Sequence, residues 1–271
     1  MTGQHENLPA TSLLVNVVKD LVIEFKANPN VTAVILTGSY AKKSQKPYSD
    51  VDITVFYKDF SQIGSETDIR YYNDTLITIS SANIPMWEKE MTDAKLLMFR
   101  YRSIMDAVIL FDRNHELGTF RSNISPTPWV YAEADRRDRM DKLAIGYIEE
   151  IHKLLNMMLE FDESTAVYAL TGLSMGMAEL VALHYKLLFG TENEYFDLIQ
   201  STVGWNSRWT QLFREVFNIQ LVADFETIDM KIVPGLNLYR ETMSFVTLSD
   251  HATDMVSKAL KLINLRLLKP K

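Results

Sequence analysis

The sequence predicts an α+β protein in two parts, a mixed-sheet α/β domain over residues 1–125 and an all-α bundle over residues 126–271. Three observations carry that expectation. Short β-branched runs alternate with helix-period segments in the first part. Between Asn114 and Pro128 the pattern is lost, and Pro126 and Pro128 disfavour a continuing helix. Beyond them only helix-period segments remain, so the second part has no sheet to pack against and must bury its helices on one another.

The elements follow in order. Leu13, Leu14, Val17, Val18, Leu21, Val22 and Phe25 recur at helical spacing, and Asn28, Pro29 and Asn30 end that helix. Val31–Leu36 and Val51–Tyr57 read as strands, while Ile69–Tyr72 and Leu76–Ile79 flank Asn73-Asp74 like the arms of a hairpin. A helix is expected over 86–104 and a strand over Ala107–Phe111. The bundle is expected from segments near 132–160, 164–189, 193–217 and 236–268. Ser164–Ala178 is uncharged but short of the roughly 20 residues a bilayer needs, so it reads as a buried helix and no membrane partner is expected.

Composition narrows the function classes. With 47% hydrophobic and 23% charged residues, and only 10 Gly and 8 Pro, the chain can bury a sizeable core and is not low-complexity. A net charge of -7 argues against general nucleic-acid binding through phosphate neutralisation. The absence of cysteine removes disulfides, thiolate catalysis and thiolate zinc sites. The opening MTGQHENLPATS lacks a basic segment followed by an apolar one, so the expected location is the cytoplasm. His115, His152, His184 and His251 show no zinc-ligand spacing. Arg136, Arg137 and Arg139 alternate with Asp135, Asp138 and Asp141, which reads as a solvated, self-paired helix face.

The informative stretch runs from Thr37 to Ile53. A strand enters Gly38-Ser39, a polar loop follows, and the next strand begins at Asp50-Val51-Asp52. Alternation along a strand sends Asp50 and Asp52 to the same side, where two carboxylates can share divalent cations. Mg²⁺ is typically held by one or two carboxylates together with substrate phosphates, so the pair needs a nucleoside triphosphate to complete its coordination. Gly38 lets backbone approach a phosphate, Ser39 offers a hydroxyl and an amide, and Lys42, Lys43 and Lys46 add positive charge.

At these residues the chain resembles the polymerase-β-like nucleotidyltransferase superfamily, whose signature is Gly-Ser followed by Asp-x-Asp or Asp-x-Glu. Loop length, the approach Pro47-Tyr48-Ser49-Asp50 and Leu183-His184-Tyr185 in the helical half are similar to the kanamycin (aminoglycoside) nucleotidyltransferase group. The resemblance implies Asp50 and Asp52 as catalytic residues and Mg²⁺ ligands, and Gly38, Ser39, Lys42, Lys43 and Ser49 as nucleotide-binding. It implies ATP as the triphosphate, a small hydroxylated acceptor, and a homodimer. It also implies a general base from the first long helix of the bundle, where Glu150 and Glu149 both fit. Two positions depart from the pattern: Thr78 stands where a third acid is often found, and Lys42 replaces an Arg, keeping charge without bidentate geometry. Asp74 reads as a turn residue. Rival readings are a nucleotide-binding regulator without turnover, an enzyme that nucleotidylates proteins, and a non-enzymatic helical interaction protein.

Overall fold

In the computed structural model the described residues are 13–63, 66–72, 74–219 and 227–268. By contacts the chain divides into two compact units, Met1–Met91 with Phe99–Pro128, and Thr92–Met98 with Trp129–Lys271. The division passes through one helix.

The first unit begins with α1 (Leu13–Ala27), which the Asn28-Pro29 pair terminates. β1 (Val31–Thr37), a four-residue helix α2 (Gly38–Ala41), β2 (Val51–Tyr57), β3 (Thr67–Tyr72) and β4 (Thr75–Ala82) follow. Next come α3 (Ile84–Glu90), α4 (Ala94–Met105), β5 (Val108–Asp112) and α5 (Glu116–Asn123). The strands form one mixed sheet in the order β3-β4-β2-β1-β5, in which β2 and β4 run parallel and the other pairs antiparallel. Asn73, half of the expected Asn73-Asp74 turn, lies outside the described residues; Tyr72 pairs with Thr75.

Alternation sorts the sheet's two faces. Val51, Ile53, Val55, Ile77 and Ile79 pack with Val17, Leu21 and Phe25 of α1, forming the core on one side. The intervening residues of β2 therefore face away from α1, and there Phe56 meets Trp87 of α3 edge-on at 4.6 Å. Ile35, Trp87, Ile104 and Leu117 converge on this second side.

Two local differences from the sequence expectation have clear causes. The single helix expected over 86–104 is two, because Asp93 Oδ1 accepts from the amides of Lys95 and Leu96 and so starts α4 afresh. α5 forms inside the stretch where no pattern was visible. Its start is held by a residue of the preceding strand, Asp112, whose carboxylate accepts from Leu117 and Gly118.

The second unit holds α6 (Trp129–Gly146), α7 (Ile148–Met157), α8 (Glu163–His184), α9 (Tyr195–Val203), α10 (Arg208–Phe217), α11 (Ile232–Met243) and α12 (Asp250–Leu267). Among the described residues it has no strand. Asp162, Ser207 and Ser249 cap α8, α10 and α12 by accepting from the third residue on. Gly204, at φ 100°, separates α9 from α10 where one helix was expected. α8 is long and apolar enough to cross a membrane by length and composition, yet 67% of its most apolar stretch is buried inside the protein. The expected solvated arginine face is corrected: Arg136 is 8% exposed, and it donates to the Leu183 carbonyl at the end of α8 and to Glu133. Arg139 turns to Glu179, leaving only Arg137 of the three largely in solvent. A helix-end carbonyl and two carboxylates compete successfully with water for these guanidinium groups.

α8 approaches Tyr147 at Gly176, where a Cβ would collide with the Tyr147 ring. Gly176→Ala is expected to lower unfolding free energy by roughly 1–3 kcal/mol, the usual range for forcing an extra carbon into a packed interior. Urea titration followed by circular dichroism measures it, and an unchanged midpoint would contradict the close approach.

Candidate active site

Strand register builds one end of the sheet. Thr37, the last residue of β1, pairs with Asp52, and on the other side Asp52 pairs with Thr78 of β4. The chain leaving β1 therefore turns at Gly38 directly over the start of β2. Gly38 has φ 65°, a backbone conformation that L-residues rarely adopt, and a Cβ there would collide with Asp52 Oδ2. Asp50 comes one residue before β2, and Asp52 lies two residues later in the same alternation, facing away from α1. Thr78 Oγ1 lies 3.3 Å from Asp50 Oδ2, to which it donates.

The Asp52 carboxylate is electrostatically unsettled. Burial first, and the neighbouring charge of Asp50 second, push the Asp52 carboxyl up to about 6. Paired hard oxygen donors that repel one another, against a glycine with no side chain, fit a divalent cation. Among the described residues no group of three or more His, Cys, Asp or Glu is placed to hold a metal ion.

The loop after Gly38 is pinned at several points. The Lys42 amide reaches the Gly38 carbonyl, and the Ser44 amide donates to the Ser39 carbonyl at 2.9 Å. Lys43 is exposed and left-handed at φ 55°. Ser49 closes the turn over 46–49, its Oγ accepting from the Lys46 amide while its own amide donates to the Lys46 carbonyl. Lys42 Nζ lies 3.9 Å from Asp106 Oδ2, a carboxylate also bound by Arg102. Asp74 stays exposed in the turn beside edge strand β3.

The two glutamates belong to the helical unit. Glu149 is 75% exposed at its side chain and pairs with Lys153, as expected of a surface i,i+4 pair. Glu150 is only 14% exposed. Its Oε1 accepts from Lys153 at 2.9 Å, while Oε2 is buried with no hydrogen-bond partner among the described residues. The charges of Glu150 and Glu179 and, above all, burial raise the Tyr147 hydroxyl above the usual tyrosine range. The structure thus brings together Gly38, Asp50 and Asp52, fixes Ser39, Lys42 and Ser49 in the adjoining loop, and separates Glu150 from Glu149 by environment. Asp106 and Arg102 were not anticipated. Their only signal was an i,i+4 Arg-Asp pair at a helix end just before a strand.

Comparison with known proteins agrees with this geometry. Residues 19–116, which hold the sheet and its loop, match the family model Polymerase beta, Nucleotidyltransferase, so the likeness to the polymerase-β-like superfamily extends beyond the motif to most of the first unit. No curated protein matches the chain. A nucleotidyltransferase-like protein from Exiguobacterium sibiricum 255-15 is similar at 14% identity, covering 95% of this chain and 82% of that one, with a TM-score of 0.48.

The raised Asp52 carboxyl has a sign that can be tested. A folded-state pKa of about 6, above the ordinary 3.8, means that the folded protein binds the proton more tightly than the unfolded chain. Stability from this group is therefore present at low pH and lost as pH rises through about 6. Without divalent cations, Asp52→Asn is expected to melt higher than wild type at pH 7.5, and the difference to close towards pH 4 (calorimetry at both pH values). A variant that melts lower at pH 7.5 would contradict the repulsion.

Proposed function

We propose that the protein is a Mg²⁺-dependent nucleotidyltransferase that moves a nucleoside monophosphate from a nucleoside triphosphate, in our reading ATP, to a hydroxyl of a small molecule, with release of pyrophosphate. Aminoglycoside-like antibiotics are the acceptor class we favour, on the motif likeness to the kanamycin nucleotidyltransferase group. The single observation that carries the reading is the seating of Gly38 on Asp52. It joins a phosphate-type turn to a pair of cation-binding carboxylates.

Asp50 and Asp52 would hold the cation, which when bound supplies charge neutralisation for the triphosphate. Gly38 and Ser39 present backbone to the phosphates, and Lys42 offsets their charge. The acceptor oxygen attacks the α-phosphorus in line, the bond from that phosphorus to the bridging oxygen breaks, and pyrophosphate leaves with the electron pair. We assign the hydroxyl proton to Glu150, one of whose oxygens has no hydrogen-bond partner among the described residues, rather than to Glu149, which pairs with Lys153 out in solvent. A cytoplasmic homodimer completes the proposal, and exposed Leu159, Phe161, Val167 and Tyr168 on the helical unit support self-association.

A second reading, a nucleotide-binding regulator without turnover, draws support from Thr78, which offers Asp50 a hydroxyl where a further carboxylate would strengthen the cation site. A pyrophosphate-release screen separates the two, combining aminoglycosides and other hydroxylated molecules with each of the four nucleotides and Mg²⁺. Turnover is expected with at least one pair, and Asp50→Asn is expected to remove more than about nine-tenths of it, as loss of a group acting on the metal should. Metal-dependent nucleotide binding without pyrophosphate would favour the regulator.

With an acceptor in hand, Glu150→Gln is expected to lower kcat by about 10²-fold or more while leaving Mg²⁺-nucleotide affinity within about threefold. Glu149→Gln, removing only a solvated pair with Lys153, is expected to keep near-full activity. Steady-state kinetics on both variants decide it. Damage confined to Glu149→Gln would move the base by one residue.

A further inference from the structure

Lys42 is a point charge, and a triphosphate seated over Gly38-Ser39 gains more from a planar fork of donors than from a single ammonium. The structure places such a fork beside the loop. Val108, the first residue of β5, pairs with Leu36 near the end of β1. Asp106, two residues earlier, therefore stands at the end of the sheet that carries Thr37, Gly38 and Asp52. Its Oδ2 is shared. Lys42 Nζ approaches it at 3.9 Å, Arg102 Nη2 at 2.8 Å and Arg102 Nε at 2.9 Å.

One carboxylate thus draws cations from two elements, the phosphate-type loop and the last turn of α4. Arg102 uses two of its five N–H donors on Asp106, and its side chain is 44% exposed, so the rest of the fork remains open to a ligand. Phosphate oxygens are the chemistry that such a fork recognises.

We propose that Arg102 is a triphosphate-binding residue, held beside Lys42 by Asp106, and that it supplies the bidentate contact Lys42 lacks. The inference rests on the nucleotide reading above. A guanidinium that serves only as an i,i+4 partner at a helix end would not distinguish ligands by their number of phosphates, whereas a phosphate-binding fork does.

The test is calorimetric titration of the full chain, in Mg²⁺, with ATP, CTP, GTP and UTP and with the corresponding monophosphates. For whichever triphosphate wild type binds, Arg102→Gln is expected to raise Kd about tenfold while monophosphate affinity stays within about twofold, the size of one lost charge-assisted contact. Arg102→Lys, which keeps the charge but not the fork, is expected to fall between the two. It carries the test if melting shows that Arg102→Gln has lost its fold. Equal triphosphate affinity in wild type and the variants overturns the inference alone. No triphosphate binding by wild type overturns the nucleotide reading and this inference with it.

Discussion

The placement of β2 between β1 and β4 is the constraint on which the candidate site depends. Asp52 is paired on both sides, with Thr37 and with Thr78, so its backbone is held by two strands at once. A slip of one residue in either ladder would turn Asp50 and Asp52 towards α1 and send Val51 and Ile53 to the opposite face. The burial of Val51, Ile53 and Val55 against Val17, Leu21 and Phe25 opposes that slip. Hydrophobic packing on one face thus fixes the position of charge on the other. The cost appears in the Asp52 carboxyl, which is partly desolvated beside a second acid.

The sheet's far side shows how a domain tolerates such a cost. On the face that also carries Asp52, Phe56 packs against Trp87, and Ile35 and Leu117 line the same apolar space. Apolar burial of that kind contributes about 25 cal/mol per Å² removed from water, enough for a few well-covered residues to offset one unfavourable carboxylate. Arg136 and Glu133 do comparable work in the helical unit, where a guanidinium buried against the last carbonyls of α8 is matched by a carboxylate. That carboxylate is held well below the usual range chiefly by Arg136 itself.

Much of the first unit was legible from the chain. Short apolar, β-branched runs gave β1, β2 and β4 to within a few residues, because those strands bury residues on at least one face, while β5, exposed or half-buried throughout, was legible from composition alone. Gly38, Asp50 and Asp52 were legible for a different reason: a glycine and two acids stand at a spacing set by one strand-loop-strand unit, which the structure closes by seating Gly38 against Asp52. What escaped was non-local. Nothing near Glu116 announces α5, since the residue that holds its start is Asp112 on the preceding strand. Nothing in the sequence ties Lys42 to Asp106, which are neighbours only because β5 returns beside β1. In the helical half, periodicity ran on through Gly146 and Gly204, and only the three-dimensional packing shows those residues as breaks. The difference between Glu149 and Glu150 is one of burial on a helix whose faces could not be assigned without its neighbours.

Edge strand β3 carries Ile69, Tyr71 and Tyr72 largely in solvent, with one side of its backbone outside the ladder. An apolar, unpaired strand is a template on which other chains can add, the first step of sheet-to-sheet aggregation. Asp68 and Arg70 interrupt it, and Arg70 reaches both Asp68 and Glu24 of α1. Judged by folding free energy, these exposed pairs contribute little. Their effect lies in colloidal behaviour instead: an incoming strand would have to strip water from a fixed Asp-Arg pair before it could dock, which keeps the edge of this sheet closed to growth.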